Sequence, residues 1–131
     1  MKKVILFIII GLSVACSKIQ AQSIEFIYPN YREFVGYYYV APDRVPLYYS
    51  YGDIKVKVNS TIEFDLSSAS FWNGCTNFTW YFNLPGSVST VYGRDQRIEV
   101  RNTGWASITV DAIDKDGYRH RNCSFMVEII N

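Results

Sequence analysis

The sequence has little of several residue types that common functional sites require. It holds one His and three Cys in 131 residues, which is little material for a histidine-based catalytic set or a metal cluster. Its 13 Lys and Arg nearly balance 12 Asp and Glu, so neither a basic nucleic-acid surface nor an acidic disordered tail is indicated. We therefore expect no cofactor, no metal, no nucleic-acid partner and no catalytic activity.

The first 21 residues have the pattern of a secretory signal. Two lysines precede an apolar run over residues 4–15, and a helix of that length spans about 18 Å, too short for a bilayer core of about 30 Å. Cleavage after Ala21 is one interpretation, and Ala21-Gln22-Ser23 is similar to the ends of signal peptides in Bacteroidetes-type bacteria. The other is a lipobox that makes Cys16 a lipidated N-terminus. Both predict export to the periplasm, the outer-membrane surface or the extracellular space.

Two cysteines remain under either interpretation of the signal. Two cysteines in an exported chain are most simply a disulfide, so we expect Cys75 to be bonded to Cys123. Such a bridge closes a long loop and would stabilise the fold by roughly 4 kcal/mol. The absence of a Cys-x-x-Cys motif argues against a redox site.

Strand patterns dominate the rest of the chain. No segment of ten or more residues shows helical periodicity, whereas apolar and polar residues alternate in many segments. After residue 53 the alternation covers residues 54–58, 62–66, 78–82, 98–100, 106–112 and 123–129. Asp114-Lys115-Asp116-Gly117 is a hairpin signal. The pattern predicts an all-β, antiparallel two-sheet sandwich of the immunoglobulin-like kind, with Trp80 at the centre of its core.

Three stretches resemble the PKD family of β-sandwich domains. Phe78-Thr79-Trp80-Tyr81-Phe82 resembles its Tyr/Phe-x-Trp-x-Phe strand, and residues 102–117 and 60–68 are similar to two further stretches. The resemblance covers about 54–130 and implies an extracellular spacer, adhesion or binding module. Asn83-Leu84-Pro85-Gly86 departs from the usual Gly-Asp-Gly, and the cysteine pair is no part of the pattern.

Residues 22–53 form a tyrosine-rich segment before the predicted sandwich of residues 54–131, and we expect the two to fold as one unit. The segment contains eight of the eleven tyrosines. A strand would point Tyr38 to the opposite face from Tyr37 and Tyr39. Either these rings are half-buried β-formers, or they form a contact surface. The candidate contact residues are Tyr37, Tyr38, Tyr39, Tyr48, Tyr49, Tyr51 and Trp72.

Two other groups of residues favour structural interpretations. Trp72 lies in a polar loop, where it either caps the core or reaches a ligand. Asp111, Asp114 and Asp116 could suggest calcium, but they are also good hairpin-turn chemistry. His120 has no catalytic motif beside it, so we expect a solvated strand residue.

The best-supported function from the sequence is a non-catalytic binding or structural module of the bacterial envelope or surface. It would contact a protein partner through its aromatic surface. The alternatives are a carbohydrate-binding module, for which a glycan is the ligand, and a small secreted inhibitor. Contact with the membrane would come only through a lipid on Cys16.

Overall fold

Two β-sheets packed face to face make up the computed structural model of the chain, which confirms the predicted all-β sandwich. The structure describes residues 24–50 and 53–131, so the predicted signal segment, Cys16 and Tyr51 lie outside the described residues. The strands are β1 (Glu25–Ile27), β2 (Phe34–Val40), β3 (Asp43–Tyr48), β4 (Ile54–Lys57), β5 (Thr61–Asp65), β6 (Thr76–Leu84), β7 (Ser87–Tyr92), β8 (Gln96–Glu99), β9 (Gly104–Ile113) and β10 (Arg119–Ile130). A short 3-10 helix, Ser70–Trp72, precedes β6.

The first sheet has the order β1-β10-β9-β6-β7 and is not purely antiparallel. β10 pairs antiparallel with β9 along one of its edges. Its other edge carries two short parallel neighbours, β1 near its start and β4 near its end. β1 and β4 are separated in sequence by β2 and β3, so two separate segments of the chain pair with this edge of β10.

The second sheet has the order β3-β2-β5-β8, and the tyrosine-rich segment supplies two of its strands. The β2 register shifts between Phe34 and Gly36, which marks a β-bulge. Gly36 has φ +145°, and a Cβ there would lie 2.7 Å from the carbonyl oxygen of Asp65. Only glycine therefore lets β2 approach β5 this closely.

The core lies between the sheets and is centred on aromatic rings, as predicted for Trp80. That side chain is fully buried, and its indole N–H donates to the carbonyl oxygen of Gly93 at 2.7 Å. Its ring centroid lies 5.3 Å from that of Phe64 and 5.8 Å from that of Phe82. Val35 and Leu47 of the tyrosine-rich segment belong to the same buried cluster.

The predicted disulfide is wrong, because both cysteines are free thiols. Thr76, which follows Cys75, lies opposite Ile113 of β9, whereas Cys123 lies opposite Val110 of the same strand. Since β6 and β10 flank β9 on opposite sides, the cysteines are about 10 Å apart across the sheet and about 10 Å apart along it. A disulfide needs Cα atoms about 4.4–6.8 Å apart.

Candidate binding cleft

The interrupted edge of β10 is the feature that builds the candidate site. Ile27 of β1 lies opposite Arg121, and Ile54 of β4 lies opposite Val127. Among the described residues, no strand pairs with residues 122–126 on this edge. Alternate residues of a strand turn their N–H and C=O groups away from the existing neighbour, so this stretch presents main-chain donors and acceptors to the gap.

A cleft of about 490 Å³ opens at this gap, between β10 and the edge strand β3. Its walls are residues 45–50, the start of β4 and residues 124–126. The side chains of Leu47 and Phe125 form a buried apolar floor, with 4% and 7% exposure. The β2–β3 hairpin thus forms one wall of the cleft, and β10 forms the other.

Three of the predicted contact tyrosines line the cleft: Tyr38, Tyr48 and Tyr49. Tyr38 points inward and packs against the core, and burial raises the pKa of its hydroxyl. Tyr49 also packs partly against the core. Tyr48 is 41% exposed and forms the accessible part of the rim.

Tyr37 and Tyr39 lie on the opposite, outer face of the hairpin. The Arg44 guanidinium lies 3.6 Å from the ring centroid of Tyr37 and 5.9 Å from that of Tyr39. The Phe34 ring contacts Tyr37 at 5.0 Å and Tyr48 at 5.9 Å between centroids. The consecutive tyrosines therefore divide between the two faces, and Arg44 already occupies a ring face of Tyr37.

The chemistry of the cleft suits binding. Its polar groups are tyrosine, Ser50 and Ser124 hydroxyls and the single carboxylate of Asp53. General acid–base catalysis needs titratable groups held within hydrogen-bond reach of each other or of substrate. The cleft has one carboxylate and no second acid, base or cation among its described lining residues.

Trp72 is a cap of the core and does not contribute to the candidate site. It is 4% exposed, and its indole N–H donates to the carbonyl oxygen of Val35 at 2.9 Å. The Phe71 ring packs edge-on against it, with centroids 4.7 Å apart. Its place among the predicted contact residues is therefore wrong, because the loop folds inward and ties itself to β2.

His120 is not the solvated residue expected from the sequence. Its Nδ1 lies 2.7 Å from Oδ2 of Asp111, and the Asn122 amide donates to the other carboxylate oxygen at 3.3 Å. Phe26 packs edge-on against the imidazole at 5.6 Å. Within the described residues no hydrogen bond involves Nε2 of His120.

The other hairpin carboxylates are used within the turn. Asp114 pairs with the Arg121 guanidinium at 3.3 Å. The Asp116 carboxylate accepts from the backbone N–H groups of Tyr118 and Arg119, which lowers its pKa. In residues 24–50 and 53–131, no group of three or more His, Cys, Asp or Glu side chains could hold a metal ion.

The structure also exposes large apolar side chains, some at outward positions of predicted strands and others outside any predicted strand. They lie on the outer face of the first sheet and are Tyr81, Val88, Tyr92, Trp105 and Met126. Strand alternation marks Tyr81 and Met126 as outward, so a large apolar residue at an outward position was the available signal for these two. Met126 also borders the cleft.

Comparison with known proteins gives structural neighbours only. No protein-family model matches the chain, and no curated protein matches it. Two solved structures are similar: the extracellular domain of a one component system and that of a hybrid two component system, both from B. thetaiotaomicron. Identities are 13% and 14%, and TM-scores are 0.50 and 0.48. Each match covers 79% of this chain and 16% of the other chain.

The first of these matches shows a shared fold and no more, because the identity is low. This chain spans about one sixth of the length of the chains it matches. Within residues 24–50 and 53–131, the structure contains no helix that is both long enough and apolar enough to span a membrane.

Proposed function

We propose that the chain is a non-catalytic, exported binding module of the bacterial cell envelope, with a PKD-like, immunoglobulin-like body. Its cleft between β3 and β10 holds an extended segment of a protein partner. The observation that carries the proposal is the coincidence of an apolar, tyrosine-rimmed hollow with an unpaired stretch of strand edge.

Main-chain pairing supplies the first part of the proposed recognition. Residues 122–126 present N–H and C=O groups that an extended peptide could pair with, as in recognition by strand addition. Each main-chain hydrogen bond to a partner replaces bonds to water, so it contributes a net stabilisation of about 0.5–1.5 kcal/mol. Main-chain bonds of this kind bind many sequences, so selectivity must come from side chains.

Side-chain burial supplies the second part. One apolar or aromatic side chain of the partner would rest on Leu47 and Phe125, beside Tyr48 at the rim. Burying such a side chain contributes about 1.5–3 kcal/mol. Tyr48 offers a rigid ring and a hydroxyl, which is the usual chemistry of protein-recognition surfaces.

The carbohydrate alternative is supported less well at the tyrosine-rich hairpin. A sugar ring needs an open aromatic face, but Arg44 already covers a face of Tyr37 at 3.6 Å. A glycan panel assayed against the native chain and Tyr48→Ser separates the two candidates, and glycan binding that depends on Tyr48 would favour the alternative over the protein partner.

The test compares capture of envelope proteins by the native chain and by variants at the cleft rim. Tyr48→Ser and Met126→Ser should each reduce capture of a specific protein at least tenfold while leaving the melting temperature within a few degrees, because both side chains are substantially exposed. Tyr118→Ser is the matched control, since Tyr118 is 55% exposed in the β9–β10 turn. Equal loss in all three variants, or no loss in the rim variants, would contradict the proposal.

Export and anchoring have a separate test. The mass of the N-terminal peptide of the mature protein distinguishes cleavage after Ala21 from a lipidated Cys16. An uncleaved N-terminus in the native host would contradict export through this signal.

A further inference from the structure

The sheet edges differ sharply in how they are protected against pairing with another chain. β3 carries Asp43, Arg44 and Pro46, and β8 carries Arg97 and Glu99. Charged residues and prolines are the usual devices that discourage strand addition at an edge. The short edge strands β1 and β4 carry Glu25, Lys55 and Lys57. β7, the edge strand at the opposite end of the first sheet, reads Ser-Val-Ser-Thr-Val-Tyr and has no charge, proline or glycine.

The main-chain groups of β7 that point away from β6 belong to its even-numbered residues. The backbone N–H of Gly93 donates to the carbonyl oxygen of Phe78 at 3.0 Å, so the facing residues Thr79 and Tyr92 do not bond to each other. The N–H and C=O groups of Tyr92 therefore point away from β6, and the carbonyl oxygen accepts from the Gln96 side-chain amide at 2.9 Å. By alternation, the N–H and C=O groups of Val88 and Thr90 point away from β6 as well.

The exposed side chains of β7 also favour pairing of this edge with another chain. Val88 is 79% exposed and Tyr92 is 75% exposed, the two highest values among the large apolar side chains of the described residues. Both lie on the outer face of the sheet, as does Thr90. The strand therefore combines open hydrogen-bonding groups at Val88 and Thr90 with uncovered apolar surface at Val88 and Tyr92.

We propose that two copies of this chain pair through β7, antiparallel, so that the first sheet continues across a two-fold axis at Thr90. In a continuous sheet, the even-numbered residues of one copy must face even-numbered residues of the other. Only one register then pairs all three of Val88, Thr90 and Tyr92. Val88 faces Tyr92 of the second copy, Thr90 faces Thr90, and Tyr92 faces Val88.

This register suits a second copy for two reasons. Aromatic–β-branched pairs and Thr–Thr pairs across strands are both stabilising, and the register creates two of the former and one of the latter. It also avoids like charges, since Arg94 would lie opposite Gly86 of the other copy and already pairs with Asp95 at 2.9 Å. The interface is small, so we expect a dissociation constant in the micromolar range.

The first test is a Thr90→Cys variant in a Cys75→Ser background. Residues facing each other in a hydrogen-bonded antiparallel pair have Cα atoms about 5.5 Å apart, which a disulfide can span. Mild oxidation at concentrations above the dissociation constant should convert most of the protein to a covalent dimer. Arg97→Cys on β8 is the control and should give at least tenfold less; equal cross-linking would overturn the proposal.

The second test measures association without a cross-link. Sedimentation of the native chain should show a concentration-dependent dimer, and Thr90→Lys should weaken it at least tenfold by placing two charges at the axis, with the melting temperature unchanged. Tyr118→Lys, in the β9–β10 turn, should leave the dimer intact. A native chain that stays monomeric at high micromolar concentration, or a dimer that survives Thr90→Lys, would overturn the proposal. β7 lies at the far end of the sheet from the cleft, so these results stand apart from those on partner capture.

Discussion

At the scale of single residues, the two thiols show how burial determines reactivity in this fold. Cys123 is fully buried, and burial raises the pKa of its thiol to about 12. Cys75 is half-buried, and burial is also the largest cause of its raised pKa. Because the thiolate is the reactive form, both cysteines should behave as structural residues.

Alkylation without reductant tests the absence of the disulfide. In guanidinium, iodoacetamide should modify Cys75 and Cys123 in the peptide map, because neither is oxidised. In the native protein at pH 8, Cys123 should stay unmodified, while Cys75 reacts slowly. If the denatured chain is alkylated at these cysteines only after reductant is added, the two are bonded.

Alkaline pH should destabilise the fold through Cys123. In the unfolded chain the thiol loses its proton near 9.0, whereas in the folded chain it keeps the proton until about pH 12. The folded state binds more protons in this window, so the free energy of unfolding falls as pH rises above about 9. Cys123→Ala should make this fall shallower in urea titrations between pH 8 and pH 10.5. An unchanged slope would mean that the thiol is not buried.

At the scale of elements, the β2–β3 hairpin shows what strand alternation can and cannot predict. Alternation correctly separates Tyr38 from its neighbours, but it cannot show that Arg44 stacks on the outer rings, because that contact comes from the next strand. β3 was not predicted because it contains Pro46, and proline is tolerated in an edge strand but not inside a sheet. β7 was missed because its two faces are both largely exposed, which removes the apolar face that identifies a strand.

A matched pair of variants tests the orientation of the hairpin. Tyr38→Ala should lower the free energy of unfolding by about 2 kcal/mol or more, because its ring packs against the core. Tyr39→Ala should cost less than about 1 kcal/mol, because its ring lies on the outer face beside Arg44. Urea unfolding measures both values, and a larger cost at Tyr39 would mean that the register of β2 is reversed.

At the scale of the whole molecule, the β2–β3 hairpin interrupts the edge of β10 and thereby creates the cleft. The sequence predicted the two-sheet architecture because alternation and turn residues are local signals. The cleft could not be predicted in the same way, since it depends on β1 and β4 pairing with one strand at two separate registers. Such pairings are decided by contacts between residues far apart in the chain.

Site-specific photo-cross-linking in the native host tests the cleft most directly. A benzophenone side chain would replace Met126 at the rim of the cleft or, as the control, Tyr118 in the distant β9–β10 turn. We expect position 126 to cross-link to one contiguous, extended segment of a single envelope protein, and position 118 to give no such product. Cross-links from both positions to the same segment, or no product from position 126, would contradict the assignment of the cleft as the binding surface.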